Sequence, residues 1–166
     1  LEQSQGKRFK ALEVSHQVSD SISAISMNLA KAYTKEAYAD YWLRTISLKR
    51  TKNRVEITEN YKLDSMQIEK DRMEGEVFDN QIVLMCYGKP VVKLPGTILL
   101  QGGSVALKYD SSVLAASIEK IVMTDGIMKK QWNDNIYRIM LRLNDNYPKK
   151  EVKYSFEGIT VKKGRR

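Results

Sequence analysis

The stretch RVEITENYKL, residues 54–63, alternates apolar and polar side chains with a period of two, and this constrains the fold more than any other feature. Val55, Ile57, Tyr61 and Leu63 share one face, and Glu56, Thr58, Asn60 and Lys62 share the other. Successive side chains of a strand point to opposite sides, so the pattern predicts a half-buried strand with its polar side in water. KALEVSHQVS repeats the device, with Leu12, Val14, His16 and Val18 against Glu13, Ser15, Gln17 and Ser19. NIYRIMLRL sets Tyr137, Ile139, Leu141 and Leu143 opposite Arg138 and Arg142, and EVKYSFE alternates through Val152, Tyr154 and Phe156.

Turn chemistry punctuates these runs. YGKP, LPG, QGG, YDSS and TDG break the apolar segments every ten or so residues, a rhythm typical of β-sandwiches. The continuous apolar pieces QIVLMCY and GTILL predict strands covered on both faces. LAKAYTKEAYADYW is Ala-rich and predicts a short helix or a helical turn between strands. SMQIEKDRMEGE, charged and mixed, reads as a loop excursion. With no internal repeat, low-complexity tract or linker, the expectation is one all-β domain over residues 1–166. It would be a two-sheet antiparallel β-sandwich with at most one short helix, and residues 158–166 would form a tail.

A chain of 166 residues is long enough for a single domain with a real core. Hydrophobic residues make up 42% and charged residues 29%, which excludes wholesale disorder. No apolar run approaches the roughly 20 residues that span a bilayer, so no membrane partner is expected. The net charge of +8 is unevenly placed, since residues 1–83 carry 13 basic and 13 acidic side chains and residues 84–166 carry 15 and 7. Such a basic half attracts polyanions, nucleic acid and acidic polysaccharide alike, through one long-range field.

The chemistry for catalysis is thin. A metal site needs several converging ligands, and the chain has one histidine, His16, and one cysteine, Cys86. His16 falls on the apolar face of its strand, where a core or rim histidine is the commoner case. Cys86, in an apolar run with no cation beside it, reads as a buried thiol acting as a small hydrophobe. No nucleophile elbow, phosphate-binding loop or dinucleotide glycine pattern occurs, and no catalytic residue, metal ligand or cofactor is expected. Aromatics interleaved with cations can serve sugars or bases through stacking and charge. Two clusters have that form, Tyr38, Tyr41, Trp42 and Arg44 in YADYWLR, and Lys129, Lys130, Trp132, Tyr137 and Arg138 in KKQWNDNIYR. Against this stands the ordinary role of Trp and Tyr as core or edge residues of β-domains. Arg44 shares its strand face with Trp42, Ile46 and Leu48, which also fits a partly buried, paired arginine.

The order of several segments resembles a known family. AYTKEAYADYWLRTISLKR followed by VEITENYKL is similar to the C-terminal portion of heparinase II/III-like polysaccharide lyases. GTILLQGGSVALKYD and then IEKIVMTDGIMKKQWNDNIYRIMLRL resemble that family's closing strands, and the likeness runs to about residue 157. The opening LEQSQGKRFKA looks like the residues just past a turn in such enzymes. The resemblance implies a β-sandwich following an N-terminal α/α toroid, in a periplasmic or secreted enzyme that cleaves uronic-acid polysaccharide by β-elimination. The family's catalytic Asn, His and Tyr, and its metal ligands, would lie upstream of Leu1, and His16 matches none of them.

Three readings follow. In the first, the chain is the C-terminal β-sandwich of such a lyase, inactive alone, with the toroid and an acidic polysaccharide of heparin, heparan or alginate type as partners. Arg44, Trp132 and Arg138 are then the candidate substrate contacts. In the second, it is a stand-alone carbohydrate-binding module with Trp42 or Trp132 as an exposed aromatic platform. The third, a basic nucleic-acid-binding β-domain, has no supporting motif, and nucleic acid is not expected as a partner.

Overall fold

The computed structural model describes residues 5–75, 80–145 and 148–159. The protein is all-β, with antiparallel strands in two sheets, as the alternation predicts. The strands are β1 (Leu12–Val18), β2 (Ile22–Asn28), β3 (Ala39–Lys49), β4 (Arg54–Leu63), β5 (Gln81–Tyr87) and β6 (Val91–Leu94). They continue with β7 (Thr97–Leu100), β8 (Val105–Tyr109), β9 (Leu114–Val122), β10 (Asn135–Leu143) and β11 (Lys149–Gly158). The larger sheet has the order β1-β2-β3-β4-β11-β8-β7-β6 and the smaller β5-β10-β9. The chain forms two compact units, residues 1–79 with 145–154, and residues 80–144 with 155–166.

In the first unit β1, β2, β3 and β4 form an antiparallel meander. The inward face of β4 buries Ile57, Tyr61 and Leu63, each at 7% exposure or less. A fourth residue on that face is acidic: Glu59 is 2% exposed. β1 departs from its expected half-burial, because every one of its residues is exposed. Among the described residues it is the last strand of its sheet, with β2 as its one neighbour, and its apolar side is left exposed. His16 is accordingly exposed on an edge strand rather than held in a core or rim.

The second unit carries β5-β10-β9 together with β6, β7 and β8. Both sets contribute fully buried side chains, Leu114, Ile139 and Leu141 from one and Ile98 and Leu107 from the other. GTILL is covered as expected, with Thr97, Ile98 and Leu100 buried. QIVLMCY is not, since Val83, Met85 and Tyr87 are each about half exposed and β5 alternates outward and inward. Among the described residues β5 pairs with β10 alone, and its outward face is about half exposed. Cys86 is half-buried rather than buried, and its burial still pushes the thiol above its usual range, away from reactivity.

Among the described residues two α-helices form, where at most one was expected, and neither lies in the Ala-rich segment. LAKAYTKEAYADYW instead makes two 3-10 turns, Ala30–Ala32 and Lys35–Ala37, and then enters β3. Helix α1 (Ser65–Met73) occupies the expected loop. Its start is set by Asp64, whose carboxylate accepts from the backbone N–H groups of Met66 (3.0 Å) and Gln67 (3.2 Å). Ile68 is its buried anchor. Helix α2 (Gly126–Trp132) begins the same way, with Asp125 accepting from Ile127 and Met128 at 2.9 Å each. Of the expected tail, only Gly158 and Ile159 fall within the described residues.

One glycine is dictated by close approach. Gly96, in the turn between β6 and β7, has φ +81°, and a Cβ there would stand 2.7 Å from the backbone oxygen of Tyr109. Its own carbonyl accepts from the Tyr109 N–H at 3.1 Å, which explains the closeness.

Candidate functional site

The aromatic and cationic cluster of YADYWLR resolves into a structural centre. Arg44 on β3 stands directly across from Glu59 on β4, and its Nε donates to Glu59 Oε1 at 2.8 Å. Trp42, two residues earlier on the same face, donates its indole N–H to Glu59 Oε2 at 2.8 Å. Tyr154 of β11 donates its hydroxyl to Glu59 Oε1 at 3.3 Å. One buried carboxylate therefore receives three side-chain donors, the condition under which burial of a charge is tolerated. Tyr33 stacks on Trp42 with ring centres 5.5 Å apart, and the Arg44 guanidinium lies 5.7 Å from the Trp42 ring centre. Burial, with the Glu59 carboxylate next to it, holds the Tyr154 hydroxyl well above the usual phenol range. Tyr41 bonds Asn60 across the strands, so this cluster is spent on holding β3, β4 and β11. Glu59 is not legible from sequence, because alternation assigns a charged residue to the polar face. The parity of Arg44 with Trp42 was the available signal.

The second cluster opens onto solvent. Where β5 ends, the chain turns through Gly88 and Lys89, and beside it α2 hands over to β10 through Asn133 and Asp134. The backbone N–H of Met123 donates to the Asp134 carbonyl at 2.9 Å, pinning the base of the α2 excursion. Between these segments lies an open cleft of about 490 Å³, lined by Tyr87, Lys89, Lys129, Asn133, Asp134 and Tyr137, with Gly88 and Asn135 completing it. Ile136 pairs with Tyr87, and Tyr137 with Cys86, so the two tyrosines leave the β5–β10 ladder on opposite faces, Tyr87 on the outward one. Lys129 lies 3.7 Å from the Asp134 carboxylate.

Asn133 is the strained member. Its φ of 59° and ψ of −161° fall in a region that glycine alone adopts readily, at a cost on the order of 1–3 kcal/mol for other residues. Its amide Nδ2 donates to the hydroxyl oxygen of Tyr87. The residues that line the cleft thus carry phenol, amide, carboxylate and ammonium groups. This is a set suited to hydroxyl-rich, negatively charged ligands. Among the described residues no group of three or more His, Cys, Asp or Glu side chains could hold a metal ion.

None of the expected contact residues, Arg44, Trp132 and Arg138, lines the cleft, whereas Lys129 and Tyr137 of the second aromatic and cationic cluster do. Trp132, at the end of α2, is 46% exposed. Arg138 donates Nε and a terminal nitrogen to Glu119, its direct partner on β9, with Nε 2.9 Å from Oε2. Arg44 is held by Glu59 in the first unit. Tyr87, Lys89 and Asn133 were not singled out from sequence, for they sit on two separate stretches that only the β5–β10 pairing brings to one place. No protein-family model matches this chain, and no curated protein matches it.

Proposed function

We propose that the chain is the non-catalytic β-sandwich of a protein that acts on acidic polysaccharide, and that the cleft between Tyr87 and Tyr137 is where it meets the glycan. The observation that carries this is the cleft itself, an open concavity of about 490 Å³ lined by two tyrosines, two asparagines and two lysines, with Asp134 beside Lys129. It lies in the half of the sequence with 15 basic against 7 acidic side chains. Tyrosine and amide groups match sugar hydroxyls, and the ammonium groups match a uronate carboxylate or a sulfate. The likeness of segment order to heparinase II/III-like lyases supports placing it beside a catalytic toroid in a periplasmic or secreted enzyme.

A stand-alone carbohydrate-binding module is the second reading, and the exposure of Trp132 favours it. The two part at the gene, where a helical catalytic region encoded ahead of Leu1 fits the first and its absence fits the second.

The test is calorimetric titration with heparin and alginate oligosaccharides, with a neutral cello-oligosaccharide as control. The double variant Lys89→Ala, Lys129→Ala is expected to bind the acidic ligands at least about tenfold more weakly, since a lost charged hydrogen bond is worth roughly 1.5–3 kcal/mol. Its unfolding midpoint should stay within experimental error of wild type. Unchanged glycan affinity would remove the cleft from the proposal.

A further inference from the structure

We infer that Asn133 is the specificity-determining residue of this cleft, kept in an unfavourable backbone conformation because its side-chain carbonyl reads a ligand hydroxyl beside an anionic group. The inference rests on the glycan reading of the cleft.

Asparagine is common at positive φ, but in the left-handed helical region, where ψ is also positive. Asn53 shows that ordinary case, with φ 45° and ψ 49° at the turn between β3 and β4. Asn133, with φ 59° and ψ −161°, lies elsewhere, in territory suited to glycine. The position ends a helix, where glycine serves as well or better. Packing does not require the side chain either, because Asn133 is exposed. Its bond to Tyr87 is exposed too and competes with water, which makes it a weak reason to retain strain.

What remains is what the side chain offers to the cleft. With Nδ2 given to the Tyr87 oxygen, Asn133 Oδ1 is the acceptor at its end of the amide, and the Tyr87 O–H stays available to donate. Lys89 and Lys129 line the same cleft. A sugar hydroxyl can donate to Oδ1 while a neighbouring carboxylate or sulfate accepts from Tyr87 and the lysines. A glycine would relieve the backbone and remove the acceptor, so stability and recognition pull against each other at this position.

The experiment compares wild type, Asn133→Gly and Asn53→Gly by thermal unfolding and by titration with heparin and alginate oligosaccharides, against a neutral cello-oligosaccharide. For Asn133→Gly we expect Tm to rise by roughly 2–6 °C and affinity for the acidic ligand to fall about three- to tenfold. Asn53→Gly should bind as wild type does. If Asn133→Gly is more stable and binds as wild type does, Asn133 is only a turn residue and the inference fails while the glycan reading stands. A less stable Asn133→Gly also overturns it, because the strain was then not the cost assumed. Should wild type bind neither acidic oligosaccharide above the neutral control, the glycan reading fails and the inference with it.

Discussion

Glu59 shows how one side chain ties three strands of the first unit. It is 2% exposed and takes hydrogen bonds from Arg44, Trp42 and Tyr154. Glu59→Ala would leave three donors facing an empty site and should cost about 3 kcal/mol, read from urea unfolding at neutral pH. The figure stays at the low end for a buried pair because the Arg44 side chain keeps 31% of its surface in water. Tyr154 adds a pH signature. Its phenol is raised above the ordinary value of 10.0 by burial and by the Glu59 carboxylate, so the folded state holds its proton longer than the unfolded chain does. The contribution is complete below pH 10 and drains away as pH climbs from there toward the folded value. Tyr154→Phe should therefore lose less stability than wild type between pH 9 and about 11.5, and equal losses would contradict this origin. The same residues mark what sequence alone makes legible. Alternation placed Val55, Ile57, Tyr61 and Leu63 correctly and suggested a paired Arg44, but a rule that sends charge to water passes over the carboxylate that pairs it.

At the scale of elements, pattern succeeded where a strand has two faces of different fate and failed where context decides. β10 buries Ile139, Leu141 and Leu143 while Arg142 is exposed, as its period requires. β1 carries an equally clean period, yet Val14 and Val18 are exposed, because alternation records a preference and not the presence of a neighbour. The helices were missed for a local reason. α1 is 9 residues long and α2 is 7, too short for periodicity to speak, and only their aspartate caps announce them. The turn between β6 and β7 was legible in LPG, and its glycine has a mechanical duty. Gly96→Ala would push a Cβ to 2.7 Å from the Tyr109 carbonyl in a positive-φ conformation, and should destabilise by about 2 kcal/mol or more. Thermal unfolding measures this, and a variant as stable as wild type would show that the turn can shift.

At the scale of the whole molecule, the question is whether the positive charge acts as a diffuse field or through a shaped place. The net charge of +8 attracts any polyanion at low salt and carries no information about which one. The cleft adds residues with phenol, amide and ammonium groups in one place, and in the proposed reading a ligand with hydroxyls and anions in register uses them. Its composition was half visible in KKQWNDNIYR, where Lys129 and Tyr137 stand. The other half, Tyr87 and Lys89, arrives from β5 through strand pairing more than forty residues away, a relation no local pattern encodes. The deciding measurement is titration of the chain with heparin, alginate and double-stranded DNA at roughly 0.05 M and 0.5 M salt. The account predicts saturable binding to one acidic glycan that persists at the higher salt while DNA binding disappears. Weak binding to all three that fades together would contradict it, leaving the charge as a field and the domain as a scaffold.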